Sequence, residues 1–307
     1  MSAASPARWS TPISLIRLEG ADTKRFLHGQ SSQAIELATA GACLPTCLIS
    51  PTGRMRALAL VRLDEGGADL LVLDRDGAAV HQALDRVLFP ADRVKLGPIQ
   101  PATLVRWSGA LAAIPANEPN LLSPGVDLGA GGAQPAWFQP SDAALPAWLE
   151  AVPALSPEAA ERQRIRQGFP AAPGELNDNT NPFELGLAPW VSLNKGCYVG
   201  QETLAKLATY DGVKQQLRGW RTSRTGPAAA EACAPGTTLT TAAGERAGVI
   251  TSAVSGPDGL EGLALVRRAA LGEPQLLANG SNNEASALEI HVPAGFVAPP
   301  VGAGGKG

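Results

Sequence analysis

Apolar positions in the first hundred residues change spacing several times, and each spacing predicts an element. Phe26 and Leu27 follow Asp22, a helix-capping residue type, and the run ends at Gly29, so a short helix is expected there. Cys47-Leu48-Ile49-Ser50 and Met55 to Leu63 are strand-like and flank Pro51-Thr52-Gly53-Arg54, a turn composition. Leu70 to Leu73 reads as a third strand. From Asp76 on, Val80, Leu84, Val87 and Leu88 fall at helical spacing until Pro90 stops the pattern. Elements of this length and order predict an α+β domain with a mostly antiparallel sheet.

Periodicity then fades. Between Arg106 and Arg162 there is no Lys or Arg, prolines are frequent, and Gly129 to Gly132 lie near Trp137 and Trp148. A loop near residues 115–147 is expected, most simply an insertion. Ser156 as N-cap, Pro157 at the first helical position and Glu158 at the positive dipole end restart a helix. It should end near Gln167, with Gly168 beyond it and Pro170 forbidding continuation. After Tyr210 come short runs at Leu217–Trp220, Thr237–Thr241, Gly248–Ser252, Leu263–Val266 and Leu288–Val292, separated by Gly, Pro, Asn and Ser. That is the signature of a small antiparallel sheet or barrel. The expected segments are 1–105, 106–212, 213–298 and a frayed tail over 299–307.

Charge and composition narrow the classes. With 25 basic against 28 acidic residues and no block of like charge, the electrostatic footprint of a nucleic-acid binder is missing. No apolar run approaches the ~20 residues a membrane span needs. The opening MSAASPARWSTPISLIRL has no apolar stretch of signal-peptide length, so the cytoplasm is the expected compartment. Cys43, Cys47, Cys197 and Cys233 lack metal-ribbon spacing, and with only His28, His81 and His291 beside them no metal site is expected.

Residues 194–208, NKGCYVGQETLAKLA, carry the strongest local signal. Leu204, Leu207 and Ala208 make a helical face, so a helix is expected to begin near Gly200. Gly196 and Gly200 allow a tight turn. Cys197 then precedes a helix N-terminus, with the Lys195 ammonium two residues away, and both features favour a thiolate. The competing reading is a buried cysteine in a glycine-bounded turn.

KGCYVGQE, Lys195 to Glu202, resembles the signature of the YgfZ-type folate-binding proteins, relatives of the glycine-cleavage T-protein. Arg164-Ile165-x-x-Gly168-x-Pro170 resembles a segment of both families, and Glu175, Thr180, Pro182, Glu184 and Leu187 fall on a T-protein pattern. LEGADTKRFLHGQSSQ is similar to the family's first helix, and GVITSAVSGPDGLEGLALVRR to its barrel. The resemblance runs from about Leu18 to Arg268 and is weakest over 108–155.

It implies an α+β, three-domain architecture, two α/β subdomains around a central folate opening plus a C-terminal antiparallel β-barrel. The implied ligand is tetrahydrofolate or a one-carbon derivative. A pterin offers a ring N–H and an amino group side by side, which a carboxylate accepts as a pair. Matching makes Glu184 the first choice for that acid, with Glu175 and Glu202 in reserve. Lys195 is expected to steady the folate tail or to bias Cys197, and Tyr198 to stack on a flat ring or simply to pack. Arg164 and Gln201 complete the implied folate set, and Cys197 is its reactive thiol.

Two departures shape the expected activity. T-proteins place an acid in a strand after a glycine turn, whereas Gly53 to Leu60 holds no Asp or Glu, which removes a general-base contribution of ~10²–10⁴. Cys197 and Gln201 stand where T-proteins typically have Asp and Arg. The expectation is a folate-binding factor supporting iron–sulfur cluster assembly or repair and, indirectly, tRNA modification. Its partners would be iron–sulfur proteins or assembly factors, and it would not be a classical aminomethyltransferase. The rivals are a folate-dependent aminomethyltransferase or demethylase with another substrate, and a scaffold using the acidic 108–160 stretch.

Overall fold

The computed structural model describes residues 5–73, 77–111, 114–115, 118–122, 136–141, 143–279 and 285–302. They divide into two compact units. The first comprises the described residues up to Ser156 together with Trp190–Gln201; the second comprises Pro157–Pro189 and the chain from Glu202 onward. The boundary expected at position 106 falls inside a strand, and the KGCYVGQ stretch lies in the first unit.

The first unit is built on β1 (Ala7–Glu19), α1 (Thr23–Gln30), β2 (Cys43–Ile49), β3 (Met55–Asp64), β4 (Gly67–Leu73), α2 (Gly77–Asp85), β5 (Lys95–Ser108), β6 (Leu121–Leu122), β7 (Ala136–Pro140) and α3 (Ala147–Glu150). The strands form one sheet in the order β2-β3-β4-β1-β5-β7-β6, with every pairing antiparallel. The expected turn between β2 and β3 is present: Ser50 N–H donates to the Arg54 carbonyl at 2.8 Å, and Gly53 takes φ +72°. One sheet face buries Ala57, Ala59, Val61 and Leu63 of β3 and Ala68, Leu70 and Val72 of β4 against Phe26 and Leu27 of α1 and Val80 and Leu84 of α2. Period-two alternation thus selects which residues meet the helices.

Three expectations need correction. Asp22 precedes α1 but makes no side-chain cap; its carboxylate takes Arg93 Nε at 3.1 Å and a terminal guanidinium nitrogen at 3.0 Å. The bond competes with the cap and holds the Asp22 carboxyl below its ordinary range. Asp76, the expected start of the second helix, lies outside the described residues; α2 ends at Asp85, leaving Val87 exposed. Within the expected 115–147 loop, β6 and β7 extend the sheet, and Trp137 meets Trp148 edge-to-face at 5.8 Å. Trp107 of β5 meets the same Trp148 at 5.7 Å, so these rings close a small core of their own.

The second unit holds α4 (Pro157–Gln167), α5 (Gln201–Thr209), β8 (Gln215–Thr222), α6 (Pro227–Ala232), β9 (Thr238–Thr240), β10 (Arg246–Gly256), β11 (Gly259–Arg267), β12 (Gln275–Asn279) and β13 (Ala285–His291). α4 starts and stops where its sequence signals place it, with Gly168 at φ +71°. The six strands close a barrel in the order β10-β11-β8-β13-β12-β9. Trp220, Ile250, Ala264, Val266, Leu276 and Leu288 fill its core. Of the barrel strands, β12 is the one the sequence pattern did not predict. Val297 bridges Leu187, and Gly302 N–H donates to the Ala208 carbonyl at 3.1 Å, so the tail stays attached at least to that point. Among the described residues, no helix is long and apolar enough to cross a membrane.

Candidate functional site

The signature segment is built onto the end of α1. A helix leaves its last carbonyls without intrahelical partners. Here the Leu27 carbonyl accepts Ser31 Oγ at 2.7 Å, the His28 carbonyl accepts Lys195 Nζ, and the Gly29 carbonyl accepts the Val199 N–H at 3.1 Å. Lys195 Nζ also donates to the carbonyls of Ser31 at 2.7 Å and Gln33 at 2.8 Å. An ammonium has three N–H groups, and all three are used. The Lys195 cation lies 4.5 Å from the centroid of the Tyr198 ring. Burial pushes Lys195 down to about 7, while the carbonyls, the negative end of α1 and the ring favour its charged form.

The rest of the segment is fixed with equal care. Ser32 Oγ donates to the Trp190 carbonyl at 2.7 Å, and Ser192 N–H to the Ser32 carbonyl at 2.8 Å. Gln201 Nε2 donates to the Lys195 carbonyl at 3.2 Å. Gly200 has φ +80°, and a Cβ there would lie 2.5 Å from the Ser50 carbonyl oxygen and 2.8 Å from Ile49 Cδ1. Gly196 meets no such limit; its added Cβ would approach only His28 Nε2, at 4.0 Å. Tyr198 is buried with its hydroxyl unpartnered, and burial, with Cys47 nearby, raises its pKa. A buried ring packed under an ammonium answers the choice between stacking and packing in favour of packing. Cys197 is exposed, which excludes the buried-cysteine reading.

Lys195 thus gives its three N–H groups to backbone carbonyls and none to the thiol. α5 begins at Gln201, four residues beyond Cys197, so the thiol is not at its first turn.

The remaining expected residues lie in the second unit and fall into separate groups. Glu175 is fully buried, with Oε1 accepting Ser252 Oγ at 2.7 Å and Oε2 accepting the Ala171 N–H at 3.0 Å and an Arg164 guanidinium nitrogen at 3.3 Å. Arg164 also donates to Ser252 Oγ at 2.7 Å, the Phe169 carbonyl at 2.6 Å and both oxygens of Glu161 at 2.6 and 2.8 Å. This network joins α4, the following loop and β10. Glu202 is exposed and pairs with Lys206 one helical turn on, at 2.7 Å, which is a surface contact on α5. Glu184 is buried; its Oε2 accepts the Asn181 N–H at 3.0 Å, while Asn181 Oδ1 accepts the Glu184 N–H at 3.1 Å.

Sequence reasoning missed Ser252, Asn181 and a cleft of about 700 Å³ on the barrel. A cross-strand row lines it: Arg221 of β8 lies between Glu261 of β11 and Glu289 of β13. Arg166 clamps Glu261 at 2.9 Å through two nitrogens, and Arg221 holds Glu289 at 2.7 Å. Within the row the opposite charges are paired, and Asp258 adds one further carboxylate to the lining. No local sequence pattern marks this row, because its members come from three strands and a helix.

Comparison with known proteins adds three findings. The model of the CAF17 C-terminal beta-barrel domain matches residues 223–295. A chloroplastic transferase-like protein of Arabidopsis thaliana is 30% identical over 275 residues, covering 80% of this chain. The chain spans 60% of that relative's length. The crystal structure of the glycine cleavage system aminomethyltransferase T from Bartonella henselae superposes with a TM-score of 0.77 at 19% identity, over 98% of this chain and 88% of that one. The fold is therefore T-protein-like, mixed α and β with a C-terminal antiparallel barrel.

Proposed function

We infer that this chain, a T-protein relative of the CAF17/YgfZ type, binds tetrahydrofolate or a one-carbon derivative and works through the thiol of Cys197. One observation carries the reading: Lys195, Tyr198, Gly200 and Gln201 are consumed in fixing the signature backbone, and Cys197 is the nucleophile this leaves at the surface. A segment held this firmly around one exposed thiol suits a protein that uses the thiol.

On this reading the folate ring is seated by Glu184. A pterin's paired N–H donors need an oriented carboxylate, and the Asn181 N–H orients this one. The folate would supply a one-carbon carrier; the chain's part is to seat its ring. Aminomethyl transfer is disfavoured because Ala57, Leu58, Ala59 and Leu60 of β3 are all buried and apolar, with no general base among them. By family resemblance, the role is support of iron–sulfur cluster assembly or repair, and indirectly tRNA modification, with iron–sulfur proteins or assembly factors as partners.

Anaerobic calorimetric titration of the reduced protein with tetrahydrofolate tests the reading. Saturable binding is expected, weakened about tenfold, or about 1.4 kcal/mol, by Glu184→Gln and unchanged by Cys197→Ser. Cys197→Ser should fail to restore iron–sulfur enzyme activity in cells lacking the protein. No binding by the wild type would overturn the folate assignment. Turnover of a methylated amine would move it to a folate-dependent methyltransferase or demethylase.

A further inference from the structure

Lys195 stands 167 residues from His28 in sequence, yet its ammonium closes the end of the helix that His28 belongs to. We propose that Lys195 is the positioning residue of the signature segment: as a tethered cation it caps α1 and thereby fixes where Cys197 stands. The proposal rests on the reading of Cys197 as the working thiol.

The geometry supports this role over ligand contact. Carbonyls of His28, Ser31 and Gln33 converge on one nitrogen, an arrangement that suits a compact ammonium with three donors. Three residues later the Tyr198 ring returns to the same cation, the Val199 N–H takes the next orphan carbonyl of α1, and Gly200 closes against Ser50. Cys197 is thus bracketed by a fixed point at 195 and another over 198–200, two residues and one residue away. Donating to a folate carboxylate or to the thiol would require the ammonium to give up at least one of these three carbonyls. Burial lowers the Lys195 pKa, and its nearest titratable neighbours (His28, with Glu36 beyond it, and Tyr198) supply no carboxylate bonded to the ammonium, so the carbonyls carry the charge.

The test is native-state hydrogen exchange on the ligand-free full chain, comparing wild type with Lys195→Met. Exchange of the Val199 amide and the last turn of α1 is expected to accelerate at least about 100-fold, while β3 and β4 change less than about threefold, as local rather than global opening requires. Alkylation of Cys197 by iodoacetamide should shift at least about threefold toward the rate of the isolated 190–202 peptide, with the tetrahydrofolate Kd unchanged within about twofold. Unchanged protection at Val199 would overturn the proposal. So would a tenfold loss of folate affinity with protection intact, which would return Lys195 to the ligand, or an even loss of protection across β3 and β4, which would make it a general core residue. Should Lys195→Met not fold, the wild type still decides: Val199 must exchange in step with the last turn of α1, and exchange at the unstructured-peptide rate would refute the cap. Because exchange is read without ligand, failure of folate binding leaves this result standing.

Discussion

Asn181 and Glu184 cap each other: the Asn181 Oδ1 accepts the Glu184 N–H at 3.1 Å, and the Glu184 carboxylate accepts the Asn181 N–H at 3.0 Å. Such a reciprocal pair has the bonding pattern of a capping box, here on a turn rather than a helix, and Asn181 Oδ1 takes the Phe183 N–H at 3.0 Å as well. Gln serves this position as Glu does, so Glu184→Gln should lower stability by no more than about 0.5 kcal/mol, whereas Asn181→Ala should cost about 1–2 kcal/mol. Urea denaturation midpoints check both. A small loss in Glu184→Gln keeps the folate titration interpretable, since any fall in affinity then belongs to the carboxylate and not to the turn.

The two glycines of the signature should differ sharply. Gly200 combines φ +80° with backbone 2.5 Å from where a Cβ would sit, so Gly200→Ala should cost at least about 2 kcal/mol through strain and overpacking. Gly196 has an ordinary φ and open space, and Gly196→Ala should stay within about 0.5 kcal/mol of wild type. Thermal denaturation of the two variants side by side gives the answer. Equal losses would mean that the segment is not seated against Ser50.

What the sequence revealed and hid follows from the range of each interaction. Ser156, Pro157 and Gly168 announce α4 because capping is local, and the short barrel strands stand out between their turn residues. β1 and β5 were hidden by their prolines. Pro12 precedes the stretch where β1 gains β4, and Pro98 and Pro101 precede the stretch where β5 gains β7. Each proline thus sits where its strand has one neighbour and no second ladder to break. At the site, spacing placed a helix after Gly200, but the partners of Lys195 lie 162 to 167 residues away and no window of sequence contains both. Glu175 and Glu202 were equivalent acids on paper; burial alone separates them.

That separation is itself testable. Glu175 is fully buried against Arg164 and Ser252, so Glu175→Ala should destabilise by about 3–5 kcal/mol by leaving Arg164 partly uncompensated. Glu202, exposed and paired only with Lys206, should yield no more than about 0.5 kcal/mol as Glu202→Ala. Guanidinium unfolding of the two variants checks the contrast. A mild Glu175→Ala would indicate that the second unit does not depend on this network, and would restore Glu175 as a ligand candidate.

Acid should act on the first unit through Asp64. Arg17 approaches its carboxylate with one guanidinium nitrogen at 2.5 Å and the other at 2.9 Å, and the Gly66 N–H donates to it at 2.8 Å. These bonds, chiefly those from Arg17, hold the Asp64 carboxyl down to about 2. In the unfolded chain the same group titrates near ~3.9. The folded state therefore binds the proton less readily, and the linkage favours folding wherever Asp64 is ionised in both states. Its contribution is complete above the unfolded pKa and is lost as pH falls from about 4 towards about 2. Because Asp64 is half exposed, solvent screens the pair and the effect should be modest. Asp64→Asn should flatten that part of the acid limb in a plot of unfolding midpoint against pH, without changing the slope above pH about 5. An identical acid limb in the variant would show that Arg17 draws its partner from Asp69, 3.3 Å from the same guanidinium, and that the β3–β4 turn owes nothing to Asp64.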